Sequence, residues 1–234
     1  MSLPEWRLWI AKRDGDSGEP FDMWFYNADV IDFYSLLVFG FSKPGEPPSE
    51  EDRRWTWEID YSAGRGNEMF YGEAASRSEA KRSCVDKILQ YVLSIGVDDL
   101  LQGELPAQPD GENDELGWDC SIDERDDGEL WYYGVTREEF YLTLELLIEG
   151  RSPDSVPELG AWKWAVLDEN DTITRGTAPS RTAARQACAG ALRDHLTAIR
   201  TTIERLRDLD FPLNECTDRE RPRRCSHDSE RLDS

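Results

Sequence analysis

Residues 161–196, AWKWAVLDENDTITRGTAPSRTAARQACAGALRDHL, decide how this chain is read, because residues 54–92, RWTWEIDYSAGRGNEMFYGEAASRSEAKRSCVDKILQYV, carry the same pattern. Each stretch runs W-x-W, a polar loop, G-x-A-x-S-R and then A-[KR]-x-x-C on an apolar-periodic tail. Trp55 and Trp57 stand 107 positions before Trp162 and Trp164, whereas Gly72, Ser76, Arg77, Ala80, Lys81 and Cys84 stand 104 before Gly176, Ser180, Arg181, Ala184, Arg185 and Cys188. Only the intervening loop changes length. A pattern kept in its ordered parts and altered in its loop is expected of a duplicated structural unit.

Working outward, Trp55, Trp57, Ile59 and Tyr61 alternate with Arg54, Thr56, Glu58 and Asp60, the period of a half-buried strand. EMFYGEAA supplies a second strand, and Ser76 followed by Glu79 has the spacing of a capping box that opens a helix. Ala80, Cys84, Ile88, Tyr91, Val92 and Ile95 then recur at helical spacing. The second copy is expected to start its helix near Ser180 and run to about Asp208 through Leu192, Leu196, Ile199, Ile203 and Leu206.

Upstream, Trp6, Leu8 and Ile10 alternate on one strand, GDSGEP turns the chain, and MWFYN makes another. ADVIDFYSLLVFG is short and apolar and is expected to be a helix packed on that hairpin, ended by SKPGEPPSEED. Trp131, Tyr133, Phe140 and Tyr141 follow Trp24, Tyr26, Phe33 and Tyr34 by 107, so the second half repeats this opening. The expected fold is α+β: ββα-ββα units present twice, antiparallel sheets with helices on one face. The expected division is a first lobe over 1–97, an acidic linker over 98–116, a second lobe over 117–208 and a mobile charged tail over 209–234. Trp55, Trp57, Ile59, Cys84, Ile88, Trp162, Trp164, Val166, Cys188 and Leu192 are the expected core.

The chain has 234 residues, 38% of them hydrophobic, which suffices for real cores. Its 49 acids against 27 bases give a formal charge of −22, a field that repels nucleic acid and attracts basic partners. No apolar run is long enough to span a membrane and no secretory signal pattern opens the sequence, so a cytoplasmic protein without membrane contact is expected. Five cysteines, two of them at equivalent helical places, suit core packing better than a disulfide framework.

Nucleophile-elbow, P-loop, dinucleotide-glycine and H-E-x-x-H patterns are all missing, and acids are too frequent for their spacing to mark acid–base chemistry. Cys216, Cys225 and His227 lack the paired spacing of a metal site. His195, beside Leu196, is expected on a helix surface rather than as a base. No enzymatic activity, cofactor or metal is therefore expected.

The W-x-W pairs could stack bases, but alternate large aromatics on a strand that must meet a helix are expected to pack inward. The G-x-A-x-S-R-x-x-A-[KR] segment resembles the end of a double-stranded-RNA-binding domain, where a hairpin leads into a helix with basic first turns. That resemblance implies phosphate contacts at Arg77, Lys81, Arg82, Arg181 and Arg185. The family's lysine pair and first helix have no counterpart here, so the likeness is one of ββα pattern. Arg77 and Arg181 sit in first helical turns, where the macrodipole disfavours cations by about 0.3–1 kcal/mol. They point either to an anionic partner or to pairing with acids such as Glu73, Glu79 or Asp171.

The leading expectation is a non-enzymatic interaction protein whose acidic surface imitates nucleic acid and occupies a basic site on a DNA- or RNA-handling protein. Small acidic inhibitors from phages and mobile elements are similar in composition. Asp110, Glu112, Asp114, Glu115, Asp123, Glu124, Asp126 and Asp127 are the candidate partner-binding residues, and a basic protein surface the expected partner. Solubility alone is the plain alternative for these acids. Direct nucleic-acid binding through the five cations is the second, weaker expectation.

Overall fold

The computed structural model describes residues 5–14, 19–30, 34–48, 55–61, 67–102, 105, 117–125, 128–138, 140–149, 158–168 and 172–212. The first half runs β1 (Arg7–Asp14), β2 (Pro20–Val30), β3 (Tyr34–Ser42), β4 (Trp55–Tyr61), β5 (Asn67–Ala74) and α1 (Arg77–Ser94). A short 3₁₀ turn (Asp98–Leu101) follows. The second half runs β6 (Asp119–Arg125), β7 (Gly128–Arg137), β8 (Phe140–Glu149), β9 (Leu159–Leu167), β10 (Thr172–Ser180) and α2 (Arg181–Asp208). Each set of five strands forms one antiparallel sheet in simple sequence order. The fold is α+β, and every strand neighbour is a chain neighbour.

The expected ββα-ββα order is corrected by these elements: among the described residues each half has five strands and then one helix. The stretch ADVIDFYSLLVFG is not a helix, because it forms the end of β2 and most of β3. Tyr34, Leu36 and Val38 are fully buried while Leu37, Phe39 and Phe41 on the other face are half-buried, so apolar residues fill both periods. A central strand covered on both sides reads as a continuous apolar run, which periodicity cannot tell from a buried helix. The second face is held by aromatic contacts, Phe25 to Phe39 at 5.9 Å and Phe21 to Phe41 at 5.7 Å between centroids. After β3, Gly45 adopts φ 78° and its N–H donates to buried Asp22 at 2.7 Å, tying the turn to β2.

The chain divides into two compact units, Met1–Gln90 with Ile199–Ser234, and Tyr91–Ala198. In the first, Leu8, Tyr26, Val38, Trp57 and Gly72 lie opposite one another in a row across the sheet. In the second, Cys120, Tyr133, Leu144, Trp164 and Gly176 form the corresponding row. The helices lie on this face: the Cys84 thiol donates to the Glu58 carbonyl at 3.6 Å, and the Cys188 thiol to the Ala165 carbonyl at 3.2 Å. Trp55, Ile59, Cys84 and Ile88 are buried in one unit and Trp162, Val166, Cys188 and Leu192 in the other, as expected. Trp57 and Trp164 are only half-buried, contrary to expectation.

Those two tryptophans explain the glycine of the motif. Each indole lies across the glycine paired with it, and a Cβ would come within 2.7 Å of the Trp57 ring at Gly72 and 2.6 Å of the Trp164 ring at Gly176. A side chain there must displace the ring. Gly176→Ala is accordingly expected to cost about 1–3 kcal/mol through overpacking, measured as a lowered urea midpoint at unchanged slope.

The β2–β3 and β7–β8 hairpins also refine the sequence match. Spacing sets Tyr34 against Tyr141, but the ladders set it against Phe140. Both open their strands fully buried, and two residues on, Leu36 pairs with Ile59 as Leu142 pairs with Val166. Tyr141 points the other way and is 38% exposed. A shift of one residue changes sheet face, so the buried register overrides the residue-type match. Phe33 lies outside the described residues.

Helix starts follow the expected signals. In α1 the Glu79 N–H donates to Ser76 Oγ at 3.1 Å, while the Glu79 carboxylate reaches one residue beyond the cap and accepts from the Ala75 N–H at 2.9 Å, a variant of the capping box. In α2 the Ala183 N–H donates to Ser180 Oγ at 3.1 Å, and Ala183 has no carboxylate to return. Glu158 from outside the helix supplies it, accepting from the Thr182 N–H at 2.9 Å.

Candidate functional site

Of the eight candidate acids, Asp123 and Glu124 fall on described residues. Asp110, Glu112, Asp114, Glu115, Asp126 and Asp127 lie outside them, as do Cys216, Cys225 and His227. Asp123 and Glu124 are exposed on β6, an edge strand of the second sheet. Strand alternation puts Asp119, Ser121, Asp123 and Arg125 on one side, all four exposed, with Cys120 and Ile122 half-buried on the other. Asp119 therefore belongs with Asp123, which the sequence reading missed although D-C-S-I-D-E-R shows the period. Arg125 Nε lies 3.3 Å from Asp123 Oδ2 with both side chains at least half exposed, a pair worth at most about 1 kcal/mol.

Of the segment expected as a linker, residues 98–102 and 105 are described. They belong to the second unit, and Leu100 and Leu105 are buried. Arg185 explains how this polar stretch is held. It is 8% exposed, and its guanidinium donates to the carbonyls of Leu100 and Gln102. Arg193 adds an exposed pair to Asp98 at 2.7 Å.

The paired arginines at the helix starts share a tyrosine contact. The Arg77 guanidinium donates to Tyr26 Oη at 3.1 Å and lies 5.6 Å from that ring's centroid, and Arg181 donates to Tyr133 Oη at 3.2 Å with 5.9 Å to its ring. Tyr26 and Tyr133 are themselves 107 apart, which is the signal that sequence reasoning held but did not connect. Arg181 also meets Glu158 at 3.3 Å. Burial pushes the Glu158 carboxyl up, but the Thr182 hydrogen bonds and Arg181 outweigh it and hold it below its ordinary value. Of the three acids expected as partners, Glu79 turns to the Ala75 N–H, Glu73 is exposed on β5, and Asp171 lies outside the described residues.

In the first unit the remaining cations converge. Arg77, Lys81 and Arg82 of α1 and Arg207 of α2 line a cleft of about 640 Å³ with Ser78, Asp86, Asp210 and Phe211. Phe211, expected at the head of a mobile tail, is instead anchored: it stacks on Tyr26 at 4.2 Å and meets Trp6 edge-on at 4.9 Å. Trp6 Nε1 donates to the Leu206 carbonyl at 3.0 Å, fixing the end of α2 beside it. Lys81 donates to the Leu209 carbonyl and lies 5.5 Å from the Phe211 ring.

Thiol chemistry is disfavoured at the buried cysteines. Burial raises the Cys84 thiol far above its ordinary value and pushes Cys188 up to about 12, so neither offers a thiolate near neutrality. His195 is half-buried, not a surface residue: its ring meets Phe140 edge-on at 5.7 Å, and burial holds its pKa down against the opposing effect of Asp168. Among the described residues no helix is long and apolar enough to cross a membrane, and no three metal-ligating side chains gather. Comparison with family models, curated proteins and solved structures gives no match to the chain.

Proposed function

We propose that this protein is a non-enzymatic acidic interaction protein of the cytoplasm that presents carboxylates to a basic site on a DNA- or RNA-handling protein, in the manner of a nucleic-acid mimic. The observation that supports this reading most is the exposed acidic edge strand β6 in a chain of net charge −22. A strand rises about 3.3–3.4 Å per residue, and one strand of duplex DNA advances about 3.4 Å per phosphate. Asp119 and Asp123, four residues apart on one side of the strand, therefore fall in step with every fourth phosphate of a row. Acids on an edge strand also block edge-to-edge pairing, and that role alone predicts no partner.

The test is recovery of bound proteins from cell extract at two salt concentrations, with the full chain and with Asp123→Asn, Glu124→Gln, Asp126→Asn and Asp127→Asn combined. These changes leave the tryptophan cores untouched, and at the exposed Asp123 and Glu124 each is expected to alter stability by less than about 0.5 kcal/mol. Basic partners are expected to be retained at low salt and lost as salt rises, and the variant is expected to retain less of them with a flatter salt dependence. Neutral or acidic partners, or equal capture by the variant, would sink the proposal.

Direct binding of nucleic acid by all five cations has less support, since Arg185 is buried on carbonyls and Arg181 is engaged by Tyr133 and Glu158. A gel shift with short duplex RNA and DNA at low salt separates the two readings: the mimic gives no shift.

A further inference from the structure

The cleft in the first unit has a character opposite to the rest of the chain. Four cations, Arg77, Lys81, Arg82 and Arg207, face two carboxylates, Asp86 and Asp210, within a molecule of net charge −22. The start of α1 is capped by Ser76 and needs none of them, while Lys81 donates to the Leu209 carbonyl just past α2 and Arg207, in the last turn of α2, pairs with Asp208 at 3.4 Å. Lys81 and Arg82 stand on successive residues, one half-buried and the other exposed, so the charge runs from the floor of the cleft to its mouth. Among the described residues neither forms an ion pair within 4.0 Å. Phe211 backs the site: Arg77 and Lys81 lie 5.7 and 5.5 Å from its ring, and Tyr26 stacks on it, so the floor is aromatic.

We propose that this cleft binds a small polyanion, a compact ligand carrying two or more phosphate groups, with Arg77, Lys81, Arg82 and Arg207 as its cationic contacts. A volume of about 640 Å³ lies within the range of small-ligand sites. Guanidinium forks and an ammonium in a partly desolvated recess are the groups that bind phosphate strongly. Burial lowers the Lys81 pKa despite Asp210 and Asp208 nearby, so a bound anion would restore what the acids leave uncompensated. An extended nucleic-acid backbone is the poorer fit, since it would have to run beyond the recess over Asp86, Asp208 and Asp210 and an acidic surface. This inference is independent of the acidic-strand proposal, which concerns β6 in the other unit.

Titration calorimetry of the full chain with inorganic tripolyphosphate and with ATP, at low and at physiological salt, tests it. Saturable binding is expected for both probes, weakening as salt rises. Lys81→Gln combined with Arg82→Gln is expected to weaken it about tenfold or more. Arg82→Gln alone, at an exposed position where folding is not at risk, is expected to weaken it severalfold. Lys12→Gln, an exposed cation of β1, is expected to leave it unchanged. Absence of binding at low salt, equal binding by the variants, or an equal loss in Lys12→Gln would each overturn the proposal. So would a short duplex oligonucleotide that displaces tripolyphosphate from the wild type at lower phosphate concentration, which would assign the cleft to nucleic acid instead.

Discussion

Trp162→Ala is expected to cost about 3–5 kcal/mol of folding stability, a large part of the roughly 5–15 kcal/mol that holds a typical domain together. Trp162 stands on β9 and is fully buried, with the Tyr133 ring of β7 6.0 Å away. Removing the indole leaves a cavity that a strand between two paired neighbours cannot close, because its backbone is pinned by ladder hydrogen bonds on both sides. Among the described residues its Nε1 has no hydrogen-bond partner, so Trp162→Phe removes ring volume without breaking a bond and is expected to cost clearly less than alanine. Urea denaturation followed by circular dichroism measures both. Equal losses for Phe and Ala, or a loss below about 1 kcal/mol for Ala, would show that the indole is not a packing element.

Arg185→Met is expected to destabilise by about 3 kcal/mol and to loosen the segment around the 3₁₀ turn. Its guanidinium donates to the carbonyls of Leu100 and Gln102, the first of these contacts wholly buried, and hydrogen bonds involving a charged group contribute about 1.5–3 kcal/mol each. Methionine keeps much of the stem's packing but leaves the Leu100 carbonyl without this donor, so the change isolates the polar contribution. Limited proteolysis is expected to cut the variant faster near residues 98–105, because that stretch then loses the tie to α2. The same variant separates two roles for the residue. Were Arg185 a phosphate ligand, stability would be unchanged and only nucleic-acid affinity would fall.

How much of the site was legible follows from the kind of signal each part carries. The acids of β6 were visible as charge, and their alternation as period two, but edge-strand status comes from the sheet order and not from residue spacing. The arginines at the helix starts were visible as a repeated position without an evident partner. Their partners, Tyr26 and Tyr133, are about 50 residues upstream and reach them because β2 and β7 place their hydroxyls next to the helix starts. Phe211 belongs to the cleft for a similar reason: α2 carries it back to a strand near the opposite end of the chain, and no local pattern records such a return.

What the sequence determined by itself was local and periodic. The W-x-W strands, the serine caps at Ser76 and Ser180, the extents of both helices and their apolar stripes follow from side-chain period and from donor–acceptor needs at helix ends, which act over a few residues. Tertiary structure decided three things. It made ADVIDFYSLLVFG a pair of strands, since an apolar run takes the form its neighbours can hydrogen-bond and cover, and β2 and β4 lie on either side of β3. It set Tyr34 against Phe140, because burial of one sheet face fixes register more strongly than residue likeness. And it divided five similar cations into different environments, with Arg185 buried on carbonyls, Arg181 against tyrosine and carboxylate, and Arg77, Lys81 and Arg82 in a recess. Charge is written in the sequence, but whether it meets a carbonyl, a carboxylate or open solvent depends on which distant residues the fold brings beside it.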